Sequence, residues 1–143
     1  MRIQDVIQHK ANQDVVTIRP DATVRELVAL LAEHNVGALV VSDDGERVAG
    51  IVSERDVVRR LHADEAVLDS AVSSIMTAEV RTCSGQDGLT DLMQTMTEHR
   101  IRHVPVVADG RLTGIISIGD VVKNRIGELE FERDQLDHYV HQT

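Results

Sequence analysis

The chain has 143 residues, of which 42% are apolar and 27% charged, values typical of one globular domain with a sizeable core. Its net charge of -9 argues against general binding to nucleic acid or to an anionic membrane, which depends largely on clustered Lys and Arg. The single cysteine excludes an intramolecular disulfide, and the sequence shows neither a signal peptide nor a long apolar run. A reducing cytoplasm is therefore the expected compartment.

The first half of the chain predicts a β-α-β-β-α order. A β-prone run at residues 15–18 precedes a helix, because apolar residues recur three and four positions apart over residues 24–31. A strand at 38–41, a turn at 43–45 and a second strand then give the pattern of a hairpin. A second helix, over about residues 54–61, closes the unit.

The second half predicts the same order again. A β-prone run at 80–83 precedes a helix over 89–96, which has the same apolar spacing. A strand at 103–107 and a turn at 109–110 begin a second hairpin, and a further helix starts at about Gly119.

A seven-residue phrase marks the same point in both halves. Residues 50–56 read Gly-Ile-Val-Ser-Glu-Arg-Asp and residues 114–120 read Gly-Ile-Ile-Ser-Ile-Gly-Asp, so Gly, Ile, Ser and Asp recur 64 positions apart. This period is too long for a solenoid repeat and too short for two independent domains. The two copies are therefore expected to pack as half-domains of one pseudo-symmetric unit.

Short segments flank the two copies. A helical turn at 72–77 leads into the second copy, and residues 3–7 form a weaker counterpart before the first. After the second copy, a charged segment predicts an additional helix with one apolar face, formed by Leu129, Leu136 and Val140. The chain thus divides into a first repeat with its lead-in at 1–65, a linker and second repeat at 66–126, and a helical extension at 127–143.

Three linked motifs carry a family resemblance. The repeated phrase, the Ser-Ile-Met-Thr sequence at 74–77 and the run His-Arg-Ile-Arg-His-Val-Pro-Val-Val at 99–107 together resemble the CBS-domain family, over residues from about 3 to 126. The resemblance implies an α/β (α+β) fold, in which two pseudo-symmetric β-α-β-β-α repeats pack through their sheets as one Bateman module with a cleft on each side. It also implies a homodimer of modules, in which the apolar face of the C-terminal helix would be covered.

The same resemblance implies a non-enzymatic regulatory role. Members of the family bind adenosine-containing ligands such as AMP, ADP, ATP, NAD(H) or S-adenosylmethionine, and most regulate an attached enzyme or channel. This chain has no room for an attached partner, so it would signal to a separate, unidentified protein. The alternative is a protein-interaction scaffold with vestigial clefts, whose acidic C-terminal helix makes the partner contact.

The sequence offers little support for catalysis or metal binding. It contains no Gly-rich phosphate loop with Lys and no Gly-x-Ser-x-Gly elbow. His138 and His141 lie three positions apart beside acidic residues, but no organised third ligand is visible. Catalytic residues, metal ligands and any cofactor other than a regulatory nucleotide are therefore not predicted.

The Ser and Asp of the repeated phrase have two interpretations. Ser53 with Asp56, and likewise Ser117 with Asp120, have the spacing of a capping box, in which both side chains bind backbone N–H groups at a helix start. A carboxylate at that place could instead accept both hydroxyls of a ribose, while the Ser hydroxyl and nearby N–H groups meet phosphate oxygens. The spacing by itself leaves both interpretations open, and the resemblance favours a ligand site.

The resemblance also implies that the Asp of each repeat faces the first strands of the other repeat. The cleft of Asp56 would be lined by Ser53, Thr82, Arg102 and His103, and the cleft of Asp120 by Ser117, Thr17, Gly37 and Ala38, with Arg55 near the centre. In the first cleft, Arg102 could pair with phosphate and His103 could donate a hydrogen bond. In the second, the small residues would leave room for a purine but supply no positive charge. That cleft would suit a nucleoside, or a ligand whose phosphates reach Arg55 or Arg102. The first cleft is therefore expected to favour phosphorylated ligands.

Overall fold

Both copies of the repeat contain two helices in the same order. The structure is a computed structural model, which describes residues 1–10 and 15–141. In each copy the last two strands form a hairpin that runs directly into a helix. The helices are α1 (Ile3–Gln8), α2 (Val24–His34), α3 (Glu54–Ala63), α4 (Leu89–His99) and α5 (Ile118–His141). The strands are β1 (Thr17–Ile18), β2 (Ala38–Val41), β3 (Gly50–Ser53), β4 (His103–Ala108) and β5 (Arg111–Ser117), and the linker holds two 3₁₀ turns at Glu65–Asp69 and Val72–Ser74.

The first strand of the second repeat is shorter than predicted. In the first repeat β1 pairs in parallel with β2, which pairs antiparallel with β3. In the second repeat β4 and β5 form the hairpin, but the run at 80–83 is reduced to one bridge between Cys83 and Val106. Pro105 stands where Val40 stands in the first repeat and has no backbone N–H, so the parallel pairing cannot extend back along the chain from Cys83.

Each repeat has its own apolar core, which is completed by a segment from the other half of the sequence. Ile3 and Val6 of α1 are fully buried in the core of the second repeat. Val72 and Ile75 of the linker are buried in the core of the first. The division predicted from the sequence, with α1 in the unit 1–65, therefore separates α1 from the core that it completes.

The glycine that opens each repeated phrase lies against one of these exchanged segments. A Cβ at Gly50 would lie 2.6 Å from the Met76 sulfur and 2.9 Å from the Thr77 carbonyl oxygen. A Cβ at Gly114 would lie 3.3 Å from Cδ1 of Ile7 in α1. The recurrence of glycine at this point therefore follows from the close approach of the lead-in segment to the strand.

The last helix is continuous from Ile118 to His141, so the predicted extension is the second half of one helix rather than a separate one. Gly127 does not break it, since an interior glycine costs only about 1 kcal/mol. Every residue from 129 to 141 is exposed, and this half protrudes from the packed repeats. Residues 142–143 of the extension, like residues 11–14 of the first unit, lie outside the described residues.

Within the described ranges, none of the helices combines the length and apolar character needed to span a membrane.

We expect Gly50→Ala to destabilise the protein. The new Cβ would meet the Thr77 carbonyl oxygen, which belongs to the backbone and cannot turn away as a side chain could, and overpacking of this kind costs about 1–3 kcal/mol. Gly127→Ala is the control, because a Cβ there has no neighbour within 4 Å and the helix should gain roughly 0.5–1 kcal/mol. Urea unfolding at one fixed protein concentration measures both. An unchanged midpoint for Gly50→Ala would show that the lead-in segment moves aside freely.

Candidate ligand-binding clefts

Both Ser and Asp pairs of the repeated phrase form capping boxes. At the start of α3, Asp56 Oδ2 accepts hydrogen bonds from the Ser53 backbone N–H (2.8 Å) and hydroxyl (3.1 Å), and the Asp56 N–H donates to Ser53 Oγ (3.4 Å). At the start of α5, the same contacts between Ser117 and Asp120 measure 2.9, 3.0 and 3.2 Å. The junction of strand and helix is thus held in the same way in both repeats.

Each of these carboxylates keeps one oxygen for a further donor. All the hydrogen bonds that the side chains of Asp56 and Asp120 accept within residues 1–10 and 15–141 go to Oδ2, and none goes to Oδ1. A carboxylate oxygen has two lone pairs, so Oδ1 is able to accept a hydroxyl from a ligand. The capping and ligand-binding interpretations are therefore compatible in geometry.

The cavity that contains Asp56, here called the Asp56 cleft, lies between the repeats and has a volume of about 560 Å³. That volume is within the range of small-molecule sites. Of the residues predicted for this cleft, Ser53, Asp56, Arg102 and His103 line it, and Arg55, expected near the centre, lines it too. Thr82 lies in the unpaired part of the shortened strand, is exposed, and lines neither cleft as far as the chain is described.

Three residues predicted for the other cleft line the Asp56 cleft, namely Gly37, Ala38 and Ser117. Ala38 borders both cavities. The reason is that the start of β2 lies close to the start of β4, since a Cβ on Gly37, just before β2, would lie 3.4 Å from Cε1 of His103. The small residues of one repeat and the charged residues of the other therefore face the same cavity.

The Asp56 cleft is rich in arginine, with Arg55, Arg59, Arg100 and Arg102 against the carboxylates of Glu54 and Asp56. Arg59 and Arg100 are absent from the sequence prediction. Arg59 follows Arg55 by one helical turn, and this spacing is a signal that the sequence contains. Arg100 ends α4 in the left-handed conformation (φ 53°), which Asn35 adopts in the first repeat (φ 52°). Its place at the cleft is evident only in the folded chain.

Burial lowers the pKa of His103 below its ordinary value of 6.5. The carboxylates of Glu54 and Asp120 act in the opposite direction. The cations of Lys10 and Arg102 add to the lowering. At neutral pH the ring is therefore uncharged, and it can exchange a hydrogen bond with a ligand but adds no positive charge.

The cavity that contains Asp120, here called the Asp120 cleft, is smaller, at about 390 Å³. The expectation that it lacks positive charge is wrong, because Lys10 and Lys123 line it together with His9 and His34. Lys10 Nζ lies 3.0 Å from Asp120 Oδ2. Sequence reasoning misses Lys10 because this residue precedes the first repeat, whereas α1 packs on the second.

The lining of the Asp120 cleft differs from the predicted one. Neither Thr17, Gly37 nor Ser117 belongs to the lining formed by the described residues, and Val16 borders the cavity instead. Successive side chains of an extended segment point to opposite faces, so Val16 and Thr17 cannot both face this cavity. Of the four residues predicted to accompany Asp120, Ala38 lines the cleft.

We expect the pKa of His103 to lie below 6.5 and to respond to its neighbours. Glu54→Gln removes a negative charge and should lower this pKa further, whereas Arg102→Met removes a positive charge and should raise it. The unfolded chain binds a proton at His103 more readily than the folded chain does. The free energy of unfolding should therefore fall as the pH drops from above 6.5 through the pKa of folded His103. An NMR titration measures the shift, with the signal assigned by its loss in His103→Gln. An equal pKa of His103 in the wild-type protein, Glu54→Gln and Arg102→Met would contradict the position assigned to this ring.

Known proteins share these features. The family model described as CBS domain matches residues 3–63 and 72–127. The crystal structure of the CBS-domain containing protein ATU1752 from Agrobacterium tumefaciens is similar over 87% of this chain and 99% of that chain, with a TM-score of 0.83 and 44% identity. The mitochondrial CBS domain-containing protein CBSX3 of Arabidopsis thaliana is 37% identical over 146 aligned positions, which cover 96% of this chain and 71% of that protein.

A more distant structure shows the same fold with ligands bound. The CBS domain pair of protein MJ0100 was solved in complex with 5′-methylthioadenosine and S-adenosyl-L-methionine. It is 22% identical and has a TM-score of 0.78 over 90% of this chain and 98% of that chain, so the likeness concerns the fold alone. The matched repeats account for most of the sequence, and the two hairpin-and-helix units agree with them. The chain belongs to the CBS-domain family.

Proposed function

We propose that this protein is a non-enzymatic sensor that binds an adenosine-containing compound between its repeats and signals to a separate protein. The candidate ligands are AMP, ADP, ATP, NAD(H) and S-adenosylmethionine. The observation that carries the proposal is the Asp56 cleft, in which a capping carboxylate with an open Oδ1 shares a cavity of about 560 Å³ with four arginines.

The residues of this cleft match the two ends of a nucleotide. A carboxylate accepts hydrogen bonds from hydroxyls, so Asp56 suits a ribose. Arg102 and the neighbouring arginines carry planar, charged donors that suit phosphate oxygens. The uncharged ring of His103 supplies one further hydrogen bond. A nucleoside phosphate would therefore satisfy the carboxylate and the arginines together.

A protein of the same fold supports this class of ligand. Both compounds in the structure of the MJ0100 domain pair contain adenosine. We extend the class, and not either compound, to this chain because the likeness concerns the fold. The ribose and phosphate assignments rest on the residues of this cleft.

The described residues favour a binding role over catalysis. The Ser53 hydroxyl donates to Asp56, and no histidine is bonded to it within the described chain. Burial, with a smaller contribution from Asp87, raises the pKa of Cys83 to about 12, so its thiol is a poor nucleophile. No group of three His, Cys, Asp or Glu side chains among residues 1–10 and 15–141 is placed to hold a metal ion. A reducing cytoplasm remains the predicted compartment of the protein.

We propose further that the protein is a homodimer. The helices that close the two repeats carry large aliphatic side chains at exposed positions, at Val58 and Leu61 on α3 and at Ile118, Val122 and Ile126 on α5. Val58 and Val122 occupy equivalent places in the two repeats and are 65% and 45% exposed. Exposed apolar surface of this kind is typical of a protein interface, and a second copy would cover both helices at once.

We expect saturable binding of at least one of the five candidate ligands, measured by calorimetry on ligand-free protein. Asp56→Asn should weaken this binding by about tenfold to a hundredfold, because it removes the charge from a hydrogen-bonded carboxylate. The accompanying loss of the helix cap should cost about 0.5–2 kcal/mol of folding stability, which urea unfolding measures separately. Asp109→Asn is the matched control, since Asp109 lies outside both clefts and its left-handed backbone (φ 52°) suits Asn.

Two results would contradict the sensor function. If no candidate ligand binds, the scaffold function, which the exposed half of α5 favours, becomes the better account. If Asp56→Asn loses stability but keeps its affinity, Asp56 serves only as a cap. Arg102→Ala separates the two ends of the ligand, because it should weaken AMP and leave adenosine nearly unaffected. Arg81→Ala is its control, as an exposed arginine outside the described lining of both clefts.

Sedimentation equilibrium should give the mass of a dimer at micromolar concentration. Val58→Glu combined with Val122→Glu should shift the protein to monomer, because charges at a covered apolar interface are strongly unfavourable. Val28→Glu, at a residue that is 40% exposed on α2, is the control and should leave the dimer intact. A monomeric wild-type protein would remove the homodimer from the proposal.

A further inference from the structure

Lys10 occupies the Asp120 cleft as an internal cation. It lies two residues beyond the end of α1, and its side chain is 24% exposed. Its Nζ is 3.0 Å from Asp120 Oδ2 and donates a hydrogen bond of 2.9 Å to the Ile115 carbonyl oxygen. These contacts hold the ammonium beside Asp120, which is the counterpart in the second repeat of Asp56 in the first.

The ammonium changes what Asp120 offers to a ligand. Burial raises the pKa of Asp120, but hydrogen bonds from Ser117 and Lys10 outweigh burial, so the pKa lies below its ordinary value. Asp120 Oδ2 already has three donors, which are the N–H and hydroxyl of Ser117 and the Lys10 ammonium. Asp56 forms no ion pair with any cation of the described residues. One carboxylate is therefore neutralised by its own chain, and the other is not.

We propose that Lys10 makes the Asp120 cleft selective for adenosine compounds that carry a negatively charged group over neutral nucleosides. This inference rests on the proposed function and concerns the second cleft. A neutral nucleoside can donate its hydroxyls to the open Oδ1 of Asp120, but it gives the Lys10 ammonium no new charged partner in this partly buried site. A phosphate or carboxylate group on the ligand gives the same ammonium another anion, so the cation keeps a charged partner.

The surroundings of Lys10 favour the same class of ligand. Lys123 also lines the cleft, so two lysines accompany one carboxylate. A lysine side chain has a flexible four-carbon stem and three donors, which lets Nζ move between carboxylate and ligand while the backbone stays in place. The backbone of α1 is anchored, since Ile3 and Val6 are fully buried. The cation thus remains within reach of the cleft in both arrangements.

Calorimetry with adenosine and AMP tests the inference, on the full chain carrying Asp56→Asn to weaken the first cleft. We expect this parent to prefer AMP. Lys10→Met should reduce the ratio of AMP affinity to adenosine affinity by about tenfold to a hundredfold, as expected for loss of a charge-assisted hydrogen bond. Lys10→Arg keeps the positive charge and should keep most of the preference. Thermal unfolding shows whether each variant is folded, and Lys10→Gln provides a second neutral side chain if Met disturbs the packing.

The outcomes separate this inference from the proposed function. An unchanged ratio in Lys10→Met and Lys10→Gln, with both compounds still bound, would overturn the role of Lys10 and leave the sensor function standing. Loss of all binding in the Asp56→Asn parent, when the wild-type protein binds, would also overturn it, because the Asp120 cleft would then take no ligand. Absence of binding by the wild-type protein to every candidate ligand would contradict the proposed function itself, and this inference with it.

Discussion

The packing of each lead-in segment on the opposite repeat is the constraint on which the rest of the structure depends. Ile3 and Val6 are buried in the second core, and Val72 and Ile75 are buried in the first. Full burial of a side chain of this size contributes about 1.5–3 kcal/mol, so neither half of the sequence completes its core without the other. The exchange joins the two half-domains into one unit and fixes the walls of the clefts between them.

Divergence between the repeats gives the two clefts different chemistry on the same framework. The Glu54 N–H donates to the Gly37 carbonyl oxygen at 2.9 Å. The Ile118 N–H donates to the Arg102 carbonyl oxygen at 2.8 Å, so Gly37 and Arg102 hold equivalent places in the two repeats. Because the two strand starts lie close together, the space left by Gly37 and the charge of Arg102 serve one cavity. The other cavity obtains its cation from the exchanged lead-in, as Lys10.

Local patterns in the sequence were sufficient to predict the repeated architecture, and the family resemblance predicted part of the lining of one cleft. The recurrence of the phrase, the apolar spacing of the helices and the Ser-x-x-Asp caps all involve residues close together in the chain, and the folded protein confirms them. The resemblance predicted that Arg102 and His103 line the cleft of Asp56, and both residues lie there. The strand at 80–83 was over-predicted although the sequence contains the reason, since Pro105 has no N–H to pair with it.

Tertiary packing alone decided which lead-in completes which core, and everything that follows from the exchange. The position of Lys10 beside Asp120, the place of Arg100 at the other cleft and the uncharged state of His103 each depend on contacts between segments far apart in the chain. Apolar periodicity shows that a helix buries one face, but two similar cores are equally able to cover that face. The sequence by itself therefore determined the units and their caps, whereas the folded chain determined the charges that each cleft presents.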